Sequence, residues 1–239
     1  MEKGDVVLVS FTGKELLTNK TFDTTDLETA KREGLYKDGQ VYKAVPVILG
    51  NGDVIPGLEE ELLKLKAGEA RTVKIAAAKA FGERQPALVR VVPLKEFHKH
   101  QLKPVPGLIV NVDNRYAKVQ SVSGGRVRLD FNPELAGRDV EYQVRIERHL
   151  AKPEEKAQAL AEKYFPLPED RKVRVSYKEG NLEVALPGNL QKEVAVLKQV
   201  YSKVIQAYAK EVKNIRFVET VGLDEAKAGT GEKAGAAKK

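Results

Sequence analysis

One pattern recurs between Asp5 and Glu147: short runs of β-branched and other apolar residues, many alternating with polar ones, each ended by glycine, proline or a polar turn. The segments are 5–10 (DVVLVS), 45–49 (VPVIL), 71–76 (RTVKIA), 89–92 (VRVV), 108–112 (LIVNV), 116–122 (YAKVQSV), 126–131 (RVRLDF) and 139–147 (DVEYQVRIE). A period of two lines one face of a strand, so this part of the chain must be built mainly from short strands. Helices have two openings there. Thr25-Asp26-Leu27-Glu28 has the spacing of a capping box, predicting a short helix through LETAKREG that stops near Gly34. A second helix is expected from about Leu58. Glu59, Glu60 and Glu61 lie in its first turn, Lys64 and Lys66 near its end, and Gly68 suits its C-terminal cap, all matching the helix dipole.

The pattern changes twice along the chain. Between 84 and 137 the strands become short and are punctuated by Pro104-Val105-Pro106-Gly107 and Ser123-Gly124-Gly125, which reads as a small β domain inserted into a host. From Lys152-Pro153 a new unit begins. Pro153 fits the first turn of a helix running to about Phe165. Strands at 171–177 and 182–186 flank the turn Lys178-Glu179-Gly180-Asn181. A long helix follows, with Leu190, Val194, Leu197, Tyr201, Val204, Tyr208 and Val212 three or four apart, and Ile215 to Val221 closes an αββαβ order. The last stretch, AKAGTGEKAGAAKK, is too small and polar to order itself.

Missing residue types narrow the chemistry. The chain has no cysteine and three histidines, which excludes disulfides, thiolate zinc sites, iron–sulfur clusters and a cysteine nucleophile. His98 and His100 would share a face of a strand, but two imidazoles without further ligands do not make a metal site. No metal and no cofactor is expected. Gly50-Asn51-Gly52 and Gly124-Gly125 lack the lysine and hydroxyl of a phosphate loop and read as turns. No apolar run approaches the roughly 20 residues of a bilayer span, and MEKGDVVLVSF lacks the apolar core of a secretory signal. The expectation is a cytoplasmic chain with no membrane partner. Net charge is +7. From Arg84 to Arg138 ten lysines and arginines stand against four acids. Without a denser cluster and stacking aromatics this excess is not a nucleic-acid footprint, so nucleic acid is not expected either.

The run VSFTGKELLTNKTFDTT, then VILGNGDVIPGLEEELLKLKAGE, then KAFGE, an interruption, and LAGRDVEYQVRI closely resembles the FK506-binding-protein (FKBP) class of peptidyl-prolyl isomerases. Within it the chain is similar to the SlyD-like branch, which carries an insert-in-flap chaperone domain after an A-[YF]-G motif. The resemblance covers residues 1 to about 150, and the C-terminal unit is similar to that of long archaeal members. It implies an α+β fold: an FKBP-like antiparallel half-barrel sheet around one helix (1–83 and 138–151), an inserted small β domain (84–137), a C-terminal α/β domain (152–223) and a disordered tail (224–239).

The resemblance also implies a proline pocket between sheet and helix. Position by position, Asp23, Phe22, Ile55, Phe81 and Tyr142 would be catalytic, and Phe11, Val45, Val54, Leu58 and Leu135 would bind substrate. Phe11 and Phe81 stand where tyrosine is common, so two phenols are missing. Leu58 stands where many relatives have tryptophan. Such an activity suits this composition, because X-Pro isomerisation needs no nucleophile, metal or cofactor. Its barrier is amide resonance, roughly 18–20 kcal/mol, and uncatalysed exchange takes roughly tens of seconds. As in the family, the Ile55 N–H would orient the substrate, Phe22, Val54, Phe81 and Tyr142 would hold the ring, and Asp23 would face the twisting amide.

In the insert, Val91, Leu94, Phe97, Leu108, Val110 and Tyr116 are the candidate chaperone surface. They are also the residues available for the insert's own core, since a ~50-residue domain has little apolar surface to spare. The implied partners are unfolded or partly folded polypeptides with X-Pro bonds, with a macrolide inhibitor as a candidate ligand. The long C-terminal helix exceeds what one small sheet needs, which suggests a homodimer through that unit. A non-enzymatic holdase of the same fold is the alternative reading.

Overall fold

The computed structural model describes residues 1–165, 167, 172–188 and 194–220. The disordered-tail expectation, and Leu190 at the start of the long helix, lie outside the described residues. The first sheet is organised by β1 (Val6–Glu15). One edge of β1 pairs with β2 (Thr21–Thr24) and, nearer its start, with β3 (Val45–Ile48). Its other edge pairs along its whole length with the long β9 (Val140–Leu150), which in turn pairs with β4 (Ala70–Ile75). All these pairings are antiparallel, as the family resemblance implies.

Two short helices serve this sheet. The first, α1 (Leu27–Arg32), starts at Leu27 as expected, but its cap is one residue later than the capping-box spacing implies. Asp26 is the cap, its Oδ1 accepting the Thr29 N–H at 2.8 Å, because the Thr25 hydroxyl is taken by β1, where it accepts the Phe11 N–H at 2.9 Å. The second, α2 (Pro56–Leu62), packs Leu58 and Leu62 against Val7, Val9, Val140, Tyr142, Val144 and Ile146. It ends six residues before Gly68. That glycine instead takes a left-handed turn (φ 86°) into β4 and donates its N–H to Ile146 at 2.7 Å.

A single bulge lets this sheet serve two cores. Val9 lies opposite Ile146 but Leu8 lies opposite Arg148, leaving Glu147 as the extra residue. Because side chains alternate, one inserted residue flips every later side chain to the other face. Ile146 therefore faces α2, whereas Leu150, of the same parity, packs with Val6 and Ile48 against the C-terminal unit.

The insert is a four-stranded sheet in the order β5 (Val89–Pro93), β8 (Arg126–Asp130), β7 (Arg115–Ser123), β6 (Ile109–Val112). It carries a helix, α3 (Leu94–Lys99), that the sequence pattern does not announce. His98 and His100 sit at the end of this helix rather than on a strand. Entry and exit are pinched together: the Gly137 N–H donates to Gly82 at 2.8 Å, and Arg84 pairs with Asp130 at 2.7 Å.

Beyond β9, α4 (Pro153–Tyr164) and α5 (Val194–Tyr208) cover one three-stranded sheet, β10 (Arg174–Lys178), β11 (Asn181–Pro187) and β12 (Asn214–Thr220). β11 and β12 run parallel with α5 between them, the αββαβ order. α5 stops at Tyr208, before Val212, the last residue of the expected helical spacing, since the chain turns there to bring the Lys213 and Asn214 N–H groups onto Gly180. Among the described residues three ion pairs tie this unit to the first sheet and its loops: Lys163–Asp53 at 2.6 Å, Arg148–Glu155 at 3.0 Å, and Lys43–Glu162.

Candidate active site

On the α2 side of the first sheet, aromatic rings gather beside the aliphatic core, with Phe11 and Phe22 packed against it and Tyr142 part of it. Phe11 and Tyr142 meet edge-on at 5.8 Å, Phe22 meets Tyr142 at 5.7 Å and Phe81 at 5.6 Å, all in T-shaped contacts. Edge-to-face geometry sets each ring's positive rim against a neighbour's negative face and fixes the walls of a slot. Gly13 makes this possible. It lies opposite Tyr142 in β9 and opposite Asp23 in β2. A Cβ there would stand 2.8 Å from Phe22 and 2.9 Å from Tyr142. The two rings close over bare backbone.

The far wall is the loop 50–55 and the start of α2. Glu59 accepts the Gly50 and Gly52 N–H groups at 2.9 and 3.2 Å, and Asp53 accepts the Ile48 N–H at 2.8 Å. Pro56 sits in the first turn, so the helix starts without a donor to satisfy at that position. Gly57 allows α2 to press on the strand beneath it, where a Cβ would come within 2.4 Å of Ile75. The loop is thus held from both sides, and the Ile55 N–H meets no acceptor among the described residues.

A cavity of about 1450 Å³ opens on this arrangement. Phe11, Asp23, Val45, Val54, Ile55, Leu58, Phe81 and Tyr142 all line it. Phe22 stands behind Phe81 and Tyr142 as their packing partner. Leu135 lies apart, partly buried in the short return from the insert, and does not line the cavity. Leu58 forms the floor and is 1% exposed.

Two polar groups face this apolar setting. Loss of water raises the Asp23 carboxyl above the usual aspartate range, outweighing the Thr24 N–H and the Lys37 charge that pull the other way. Burial, and then the neighbouring Asp23 charge, pushes the Tyr142 phenol well up, so it stays protonated. Its hydroxyl makes no hydrogen bond within the described residues and yet is not sealed off. The slot therefore offers two unengaged donors, the Ile55 N–H and the Tyr142 O–H, and the Asp23 carboxyl, in a wall whose other members there are rings and aliphatic groups.

The expected insert residues divide. Phe97 and Val110 belong to the insert's core with Val119, Val127 and Leu129, and Leu94 and Leu108 pack against it. Val91 and Tyr116 are 59% and 73% exposed, on the opposite face. Ile109, 64% exposed on the edge strand β6, joins them without having been singled out in the sequence. Gly13 also went unassigned. Its signal was present in the F-T-G triplet, but only the pairing of β1 with both β2 and β9 gives the glycine a reason.

Comparison with known proteins gives these features a context. The family model described as FKBP-type peptidyl-prolyl cis-trans isomerase matches residues 1–98, that of the FKBP26 IF domain residues 90–135, and that of the FKBP26 C-terminal region residues 153–222. The chain is 32% identical over 146 residues to a short-type peptidyl-prolyl cis-trans isomerase of Methanocaldococcus jannaschii, covering 61% of this chain and 92% of that one. It is 34% identical over 104 residues to a probable FKBP-type 16 kDa peptidyl-prolyl cis-trans isomerase of Pseudomonas fluorescens, covering 41% and 67%. It is 26% identical over 102 residues to the FKBP-type isomerase SlyD of Helicobacter pylori, covering 41% and 55%. With a relative matched over nearly its full length and an aromatic slot between half-barrel and helix, the chain belongs to the FKBP-type peptidyl-prolyl cis-trans isomerases.

Proposed function

We propose that this isomerase acts on unfolded and partly folded polypeptides by removing water from the X-Pro amide inside the slot between Tyr142, Phe81 and Leu58. In water, hydrogen bonds to the amide oxygen favour its planar, charge-separated form. An apolar wall withdraws them, and the loss is smallest for the twisted form, whose dipole is smaller, so the slot binds the transition state more tightly than the ground state. Val54, Phe81 and Tyr142 hold the proline ring, with Phe11, Val45 and Leu58 completing the apolar surface and Phe22, behind Phe81 and Tyr142, fixing those two rings rather than touching the substrate. The Ile55 N–H orients the carbonyl on one side of the bond. Asp23 faces the twisting amide, and Tyr142 supplies the phenol that Phe11 and Phe81 lack. Leu135 plays no part. The single observation that carries this reading is the pair of unengaged donors in a largely apolar slot.

The division of labour is part of the proposal. Residues 1–83 with 138–151 perform the isomerisation, 84–137 hold clients, and 152–223 bring two copies together in the cytoplasm. The pinch at Gly82 and Gly137 supports the first boundary. For the insert, strand register places Val91 beside Arg128 and Ile109 beside Lys118 on one exposed face, with Tyr116 next to them. Apolar and basic groups mixed in this way suit unfolded chains, and tethering such a surface to the slot raises the local concentration of X-Pro bonds. For the dimer, Val196 and Val200 lie exposed one turn apart on α5. Macrolide binding would use the same slot.

Proline-limited refolding of a protein substrate, run beside isomerisation of a tetrapeptide, tests the assignment. Loss of both rates in Asp23→Ala and Tyr142→Ala with retained fold is the expected result. Unchanged kcat/KM in both variants would remove these residues from the chemistry, and an inactive wild type that still suppresses aggregation would make the chain a holdase.

A further inference from the structure

The cavity does not end at the proline slot. It continues past β3 to the C-terminal unit, where Ala159 on α4 and Val173 and Val175 at β10 form the facing wall. At about 1450 Å³ it exceeds the roughly 300–1,000 Å³ that holds an ordinary small ligand, and a prolyl residue with its neighbour fills only one end. The remainder lies between two units that the chain has fixed together.

The chemistry of that far end is specific. Six of its charged groups pair across the gap, Lys43 with Glu162, Arg148 with Glu155, and Lys163 with Asp53, while Glu154 and Lys172 also stand in its lining. Between the pairs lies an apolar stretch, with Leu8, Val45 and Pro46 on one side and Ala159, Phe165 and Val175 on the other. The edge at Val173–Val175, the stretch that lines the cleft, is closed to an added strand, because the Gln158 side chain accepts the Val175 N–H and donates to the Val173 carbonyl, both at 2.9 Å. An occupant cannot pair with that backbone and must be held through its side chains.

We propose that the cleft between the first sheet and α4–β10 is a second substrate subsite, which binds uncharged apolar side chains flanking the isomerised proline on the same polypeptide. This rests on the functional reading above, since continuity with the proline slot is what selects the occupant. The C-terminal unit then contributes directly to substrate selection, favouring prolines set in hydrophobic segments such as those buried in native cores. Lys163 adds a positioning role: it holds Asp53, which accepts the Ile48 N–H and lies two residues before Ile55, so the same helix that walls the subsite also steadies the slot.

The test compares a tetrapeptide, which reaches the slot alone, with a dodecamer carrying leucines on both sides of the same X-Pro bond, using the full chain. The dodecamer should show a KM about tenfold lower, as expected for burying one further apolar side chain. Replacing its leucines by glutamates should abolish the gain. In Ala159→Lys the KM for the leucine dodecamer should rise about tenfold to meet that of the tetrapeptide. A benzophenone side chain placed two residues from the proline should, in the wild-type protein, crosslink to α4 or β10. Equal KM for both peptides, or crosslinking confined to the insert, would overturn the subsite while leaving the isomerase reading intact. Failure to isomerise either peptide would overturn that reading and the subsite with it.

Discussion

Gly13→Ala is the sharpest single perturbation of the slot. The added Cβ would stand 2.8 and 3.0 Å from two atoms of Phe22 and 2.9 Å from Tyr142, where ordinary contacts begin at 3.4 Å. Each ring must therefore withdraw by about half an ångström. Neighbouring rings restrict both: Tyr142 lies between Phe11 and Phe22, and Phe22 backs onto Phe81, so Tyr142 can yield only toward the open slot. The backbone cannot yield either, since Gly13 is laddered on both sides. Overpacking of this kind costs about 1–3 kcal/mol. A 1 Å displacement of catalytic groups costs on the order of 100-fold in rate, so half that movement should cost about tenfold. The measurement is kcat/KM on a tetrapeptide beside the calorimetric Tm. Adding Phe22→Leu should return most of the lost stability by making room, yet leave the rate low because the ring that backs Phe81 and Tyr142 is gone. A folded Gly13→Ala protein with wild-type kcat/KM would refute the argument that ring placement over bare backbone creates the site.

Other outcomes follow from the same geometry. Tyr142→Phe should lower kcat/KM about two- to tenfold with almost no change in Tm, because the lost hydroxyl has no partner within the described residues; a large fall in Tm would show a structural hydroxyl instead. Activity should fall on mild acidification, with a midpoint above the usual aspartate range as the raised Asp23 carboxyl takes up its proton, and Asp23→Asn should flatten that profile. At Asp53, burial would raise the carboxyl, but Lys163, the Ile48 N–H and Asn51 outweigh it and hold it low. Its stabilisation is present above the ordinary aspartate value of 3.8 and is lost as pH falls through the lower folded value. Lys163→Met should therefore cost about 1–2 kcal/mol at neutral pH, the half-exposed lysine being partly screened, and the difference from wild type should shrink in acid denaturation below that range. Excising 84–137 and joining Glu83 to Arg138 should leave tetrapeptide isomerisation nearly intact while lowering the rate on a refolding protein; equal loss on both substrates would argue against a separate client surface. Val196→Lys with Val200→Lys should halve the sedimenting mass if α5 joins two copies.

Local patterns specified the elements and the family. Period-two runs placed β4 and β7 within a residue at each end and found the starts of β1 and β9, because half-buried strands must alternate, but they stopped five residues short of the end of β1 and three short of the end of β9; the contiguous motifs VIPGLE and FDTT carried Asp23, Ile55 and Leu58 into a single cavity. The boundaries that slipped did so where a long-range partner outweighed a local preference. Thr25 gave up its cap for the Phe11 backbone, Gly68 gave up a helix end for Ile146, and α5 stopped short so that the Lys213 and Asn214 N–H groups could reach Gly180. α3 was hidden because its apolar residues, Leu94 and Phe97, follow directly on a strand ending in Pro93.

The sequence by itself carried the family motifs, and through that resemblance most of the residues that line the slot, since a motif depends on side-chain type and near-neighbour spacing. Only tertiary structure decided what surrounds the slot. The single extra residue at Glu147 turns Leu150 toward the C-terminal unit and joins that unit to the first sheet, and with it comes the second wall of the cavity. A one-residue bulge leaves almost no trace in composition or periodicity, because it shifts the register between strands far apart in the chain, and register is a property of pairs.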